Sequence, residues 1–215
     1  RAEPRMLEAF EACADRVDPS FGDADRDAIR GHKNVLYVLS PPIEHETAHT
    51  YARKVLQLGA ALLERGGVGL KGDSSGIAHG RDRWLTLARD AAAAARAADN
   101  DDEAALDLVT ALYAAFVRRP LRAENGDLYT CGMHLLGERD IVLRVDDVDR
   151  FLEVADSFAL YCLGEGRDLG GVKEGHTFRL DRKSRPYNVT HEPCTYYERD
   201  DFFHNPHGYA RLEKP

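Results

Sequence analysis

The spacing of apolar residues along the chain switches from helical to strand-like and back several times. Met6, Leu7, Phe10, Cys13, Ala14 and Val17 recur at helical spacing behind Pro4, which predicts an amphipathic helix over 3–17, broken by Pro19 and Gly22. Residues 23–31 predict a second short helix. Residues 35–39 (VLYVL) are five apolar positions in a row, the pattern of a strand buried on both faces, and Pro41-Pro42 end it. From about 43 to 65, Ala48, Ala52, Val55, Gly59 and Leu62 form one helical stripe, widened by Tyr51, Leu58 and Leu63, with Arg53, Lys54 and Arg65 on the solvated side. Gly66-Gly67 stop that helix, and 68–71 predict another strand. A right-handed crossover then makes 34–71 a βαβ unit.

Residues 76–98 read as a loop and an alanine-rich helix carrying Trp84. Asp99-Asn100-Asp101-Asp102 breaks it and supplies the cap and acidic first turn of a helix over about 102–118, so 80–118 is a helical hairpin closed by Pro120. Strands at 127–133 and 141–145 flank a turn at Gly137-Glu138. Asp146 caps a helix over 148–163 that Gly164 ends, and the glycine-rich 164–175 reads as a mobile loop. Strands near 176–181, 187–191 and 208–212 complete the chain. The expected architecture is a single α+β domain with a mixed β-sheet. It contains the βαβ unit, the helical hairpin as an insertion, an N-terminal helical extension over 1–31 and a C-terminal antiparallel portion within 121–215.

Composition narrows the function classes. A chain of 215 residues can bury roughly 70% of its unfolded surface without disulfides. No apolar run reaches the roughly 18 residues that a membrane-spanning helix needs, so no membrane insertion is expected. The charged start at Arg1 shows no secretory pattern. Cys13, Cys131, Cys162 and Cys194 form no CxxC pair, which fits a reducing compartment and a cytoplasmic location. The formal charge of −8 argues against general nucleic-acid binding and favours a basic protein partner.

Three arrangements could carry chemistry. His45-Glu46-Thr47-Ala48-His49 matches the HExxH pattern of zinc hydrolases, in which two imidazoles one helical turn apart hold the metal and the glutamate acts as base. Against it, His45 opens a helix, where the dipole disfavours a cation, and Glu64 lies about 22 Å along the same helix from His49. The alternative is a cap or surface role. His191 and Cys194, followed by His204 and His207, form two x2-spaced pairs that suit a tetrahedral ion, or else simply two proline-shaped turns. The third arrangement follows from topology, because ligands bind beyond the carboxyl ends of parallel strands. There Ser40, the helix start with His45 at its rim, and Lys71, Ser74, Ser75 and His79 would form a phosphate- or carboxylate-binding site, against a reading of Ser75 as a simple cap. The run Arg179, Arg182, Lys183 and Arg185 reads as a solvated turn, and Cys131 near His134 does not make a nucleophile pair.

The segments SPP, GGVGLKGDSSGIAHGRDRW, LYTCGMHLLGERDI and HNPHGYARL resemble a family of bacterial proteins catalogued only as a domain of unknown function. Gly66-Gly67, Lys71, residues 74–79, Trp84, Thr130-Cys131-Gly132-Met133 and Asn205-Pro206 carry the resemblance, which covers most of 34–212. Gly72-Asp73 departs from the pattern, implying an early end to the second strand. The resemblance implies a bacterial origin and no particular activity. The leading expectation is therefore a non-catalytic protein-recognition module of accessory or immunity type, without a cofactor. The alternative is an enzyme or small-molecule binder with the anion site near Ser40 and Lys71 or, further off, a zinc hydrolase.

Overall fold

Alternate residues of the central strands point to opposite faces of one sheet, and both faces are covered. The computed structural model describes residues 3–13, 20–40, 43–164 and 171–215. Strands β3 (Arg118–Arg122), β4 (Leu128–Cys131), β5 (Asp140–Leu143), β6 (Thr177–Phe178), β7 (Tyr187–Glu192) and β8 (Tyr209–Glu213) form a sheet in the order β3-β4-β5-β8-β7-β6. Only β5 and β8 run parallel, with Ile141 opposite Ala210 and Leu143 opposite Leu212. The protein is thus an α+β domain with a mixed sheet. Leu128, Ile141, Leu143, Val189 and Leu212 face the main core, while Tyr129, Cys131, Val142 and Tyr209 face a smaller cluster closed by Tyr196, Tyr197 and Phe203. Pro120, in edge strand β3, has no amide hydrogen to offer a ladder, which an edge tolerates.

The helices are α1 (Met6–Glu11), α2 (Asp23–Arg30), α3 (Ala48–Glu64), α4 (Arg81–Ala94), α5 (Asp102–Phe116) and α6 (Val148–Leu163). A 3-10 turn over His45–Thr47 leads into α3. Helices α4 and α5 form the expected hairpin, and Asp101 caps α5 by accepting from the amides of Glu103 and Ala104. The cap of α6 is Asp147, one residue beyond the expected Asp146. The Trp84 indole donates to the Leu56 carbonyl at 2.9 Å and rests on Gly59, where an added Cβ would lie 2.7 Å from Nε1. Gly59 therefore belongs to the stripe because α4 approaches too closely for any side chain.

The βαβ unit is absent. Strand β1 (Gly69–Lys71) pairs antiparallel with β2 (Ala78–Gly80), so 68–80 is a hairpin, and 35–39 belong to no sheet. Two local effects explain the outcome. The turn at 72–77 closes on itself through Gly72 N to the Ile77 carbonyl and Gly76 N to the Gly72 carbonyl, a contact cheaper in loop entropy than a pairing across α3. Phe10 and Ile29 of the N-terminal helices lie against Gly69, and they form a satellite core with Phe21 and Ala78. What had the pattern of a buried strand is chain outside any helix or sheet, exposed over 36–39. Ala14, Val17 and Pro19 of the expected first helix, Pro41-Pro42 and much of the 164–175 loop lie outside the described residues.

Candidate functional site

The strand-end edge expected to bring Ser40 and Lys71 together does not exist, and each residue has a local role. Ser40 is exposed at the end of the extended segment. The Lys71 ammonium pairs with Asp73 at 2.5 Å. Ser74 is partly exposed in the hairpin turn, whereas Ser75 is buried. A Cβ on Gly132 would meet the Ser75 Cβ at 2.7 Å and the Phe116 carbonyl oxygen, so the left-handed Gly132 (φ 118°) lets this turn seat against β4. His79 is a core residue. Its Nε2 lies 3.0 Å from the Ala115 carbonyl, so Nε2 donates there, and the ring meets Trp84 edge-on at 5.5 Å. Burial pushes its pKa down to about 4, which keeps the imidazole neutral at pH 7.

The two proposed zinc sets resolve into separate contacts. His45 lies in the 3-10 turn, not on the α-helical ladder of His49, and its Nδ1 donates to the Gly137 carbonyl at 2.7 Å, with Glu138 Oε1 at 3.8 Å. In the second set, Cys194 Sγ contacts the Tyr209 hydroxyl at 3.2 Å and His204 Nδ1 lies 3.1 Å from the Tyr197 carbonyl. His191 sits in β7 opposite Ala210. Among the described residues no group of three or more His, Cys, Asp or Glu converges as a metal ion requires. None of the four cysteines is in a disulfide, and burial raises the Cys131 thiol far above its ordinary range, so it offers no thiolate at neutral pH.

The structure does bring three of the singled-out strings to one place: the start of α3, the 132–140 segment and the 204–208 turn. Asp140 is buried at their junction. Its Oδ1 accepts from Thr130 Oγ1 at 2.9 Å and Met133 N at 3.1 Å, and its Oδ2 accepts from Asn205 Nδ2 at 2.8 Å. Asn205 also donates to the Glu138 carbonyl at 3.0 Å and accepts from His207 N at 2.9 Å. The Arg139 guanidinium donates to the His207 carbonyl. Burial raises the Asp140 carboxyl to about 6 against the pull of these hydrogen bonds. His134 is pushed down to about 4 by burial, with His207 and His204 adding to it, and His207 is lowered by burial, His45 and Arg139. These groups make a set of neutral imidazoles around a structural carboxylate.

The sequence pattern gives Asp140 no role, although its partners Thr130, Met133 and Asn205 lie in the strings that carry the resemblance. The available signal was polar Asp140 and Thr130 within otherwise apolar strands, together with Asn205 and His207 on either side of Pro206. Asp127, fully buried just before β4, plays a similar part. Burial alone would raise it, but hydrogen bonds from Arg211, Arg144 and Tyr196 outweigh that and hold it at about 2.

The feature that the interior does not absorb is 36–39. Leu36, Tyr37, Val38 and Leu39 are 70%, 68%, 49% and 90% exposed, in a segment that joins no helix or sheet. Elsewhere large exposed apolar residues stand apart, as Leu58, Leu106, Val148 and Phe202 do. Comparisons with family models, curated protein sequences and solved structures return no match to the chain. No helix among the described residues is long and apolar enough to cross a membrane.

Proposed function

We propose that the chain is a non-catalytic protein-recognition module, of accessory or immunity type and of the bacterial kind that its sequence resembles, and that it engages a basic protein partner. One observation carries this reading: four consecutive apolar residues at 36–39 are exposed and belong to no helix or sheet. Contiguous apolar exposure of this kind is unusual on a chain that works alone. An extended segment with free backbone donors and acceptors adds as a strand to a sheet edge, with side chains on alternate sides supplying specificity. The net charge of −8 supports a basic partner by long-range attraction.

The test is site-specific photocrosslinking in the bacterial host from position 37, compared with a variant carrying Leu36→Asp and Leu39→Asp. Both leucines are exposed, so the variant should melt like the parent. The expected outcome is a discrete crosslinked protein that disappears in the variant and, once purified, slows amide exchange at 35–40. Binding that survives the double substitution, or no crosslink from position 37, would sink the reading.

A further inference from the structure

We propose that a groove between α3 and α4 receives the acidic α4–α5 turn of a second copy of this chain, giving a two-fold homodimer. The groove has a volume of ≈ 510 Å³. Its floor is alanine, from Ala91, Ala92 and Ala95, and Arg53, Lys54 and Arg96 stand along it. No carboxylate is among its lining residues, and none of the three cations is ion-paired with a described carboxylate. Three cations without a described carboxylate partner, of which Lys54 lies over the Tyr51 ring at 5.6 Å, are conspicuous in a chain of net charge −8. This is a local reversal of sign with an apolar base, the combination that seats an acidic segment bearing one apolar side chain.

The same chain carries such a segment. Asp99, Asp101, Asp102 and Glu103 are all exposed at the α4–α5 turn. Leu106, 49% exposed, lies one helical turn beyond Asp102 and Glu103 and shares their face. Its own groove does not hold this turn, since none of these residues lines it. Ala91 to Arg96 lead directly into the turn, so groove and acidic tip sit at the same end of the helical hairpin. A two-fold axis passing between them satisfies both contacts at once, tip into groove and groove around tip, and the assembly closes at two copies. Leu106 then covers the alanine floor while the carboxylates meet the cations. The segment 36–39 takes no part, so this pairing stands or falls apart from the recognition reading above.

Sedimentation velocity of the full chain at about 100 mM NaCl tests the pairing. The parent should sediment as a dimer of the 24.0 kDa chain. Reversing the groove (Arg53→Glu, Lys54→Glu, Arg96→Glu) should give a monomer, and so should reversing the tip (Asp99→Lys, Asp102→Lys, Glu103→Lys, leaving the Asp101 cap intact). An equimolar mixture of the two should recover the dimer, because each groove then meets a tip of opposite sign. Reversal of Arg179, Arg182 and Arg185, an equal change in net charge elsewhere, should leave the dimer in place, as should Leu36→Asp with Leu39→Asp. If a reversed variant melts early, its neutral counterpart (Arg53→Gln, Lys54→Gln, Arg96→Gln, or Asp99→Asn, Asp102→Asn, Glu103→Gln) replaces it and should also weaken the dimer. A monomeric parent overturns the proposal. So do species larger than two copies, a dimer insensitive to the groove and tip changes, or failure of the mixture to reassociate.

Discussion

Asn205 joins two of the strings that meet at Asp140, and its value depends on the charge of that carboxylate. Asn205→Ala removes the 2.8 Å bond to Asp140 Oδ2 and the 3.0 Å bond to the Glu138 carbonyl, leaving a buried acid held by Thr130 and the amides of Met133 and Gly132. Losing a donor to a buried charged group costs about 1–3 kcal/mol. The pH dependence follows from the position of Asp140 near 6. The Asn205 bond favours the charged carboxylate, so its loss raises the pKa further and costs most where the parent is ionised. The drop in stability should therefore be larger at about pH 8 than at about pH 5. Urea unfolding of parent and variant at the two pH values measures it. Equal losses would mean that Asp140 stays charged throughout, or that Asn205 does not hold it.

At the scale of the element, what was legible in the sequence tracks how locally each structure is determined. The α4–α5 hairpin, the β4–β5 pairing and helix α6 follow from short-range periodicity and nearby carboxylate caps, and they lie within a few residues of where the pattern puts them. The segment 35–39 has an equally clear pattern, but its pairing depends on which edge of β1 is open, and no local rule encodes the packing of Phe10 and Ile29 there. Gly59 sits between these cases. Its place on the apolar stripe is visible in the sequence, but the reason for glycine is the Trp84 ring from another helix. Gly59→Ala should gain about 1 kcal/mol in helix propensity. The new Cβ would lie 2.7 Å from Trp84 Nε1 and 2.8 Å from Leu70 Cδ1, and the indole is tethered to Leu56. Overpacking costs about 1–3 kcal/mol, so the net effect should be a loss of stability with a shifted emission from the sole tryptophan. A variant as stable as the parent, with unchanged emission, would show that α3 and α4 separate freely at this crossing.

The whole molecule carries several histidines that folding keeps neutral, and this sets its response to acid. His79 and His134 are each lowered to about 4, chiefly by burial, and His191 and His207 are lowered in the same sense. In the unfolded chain such groups titrate near 6.5, so between about pH 6.5 and 4 unfolding takes up protons and stability falls as pH falls. Asp140 opposes this, because its raised pKa means that the folded form holds a proton that the unfolded chain releases between about 6 and 3.8. Asp127, held near 2, adds its own loss only below about pH 4. At about pH 5, His79 and His134 together take up about two protons and Asp140 returns about one, before His191 and His207 add theirs. Each net proton gives about 1.4 kcal/mol per pH unit, so stability should decline by at least that slope from about pH 6 to 5. His134→Phe removes one of these protons while placing an apolar ring of similar size at a partly buried site. It should flatten the decline by about 1 kcal/mol per pH unit without a comparable loss at pH 7. Chemical denaturation followed by Trp84 emission across this range gives both slopes. Parallel curves for parent and variant would mean that burial does not hold the His134 imidazole neutral.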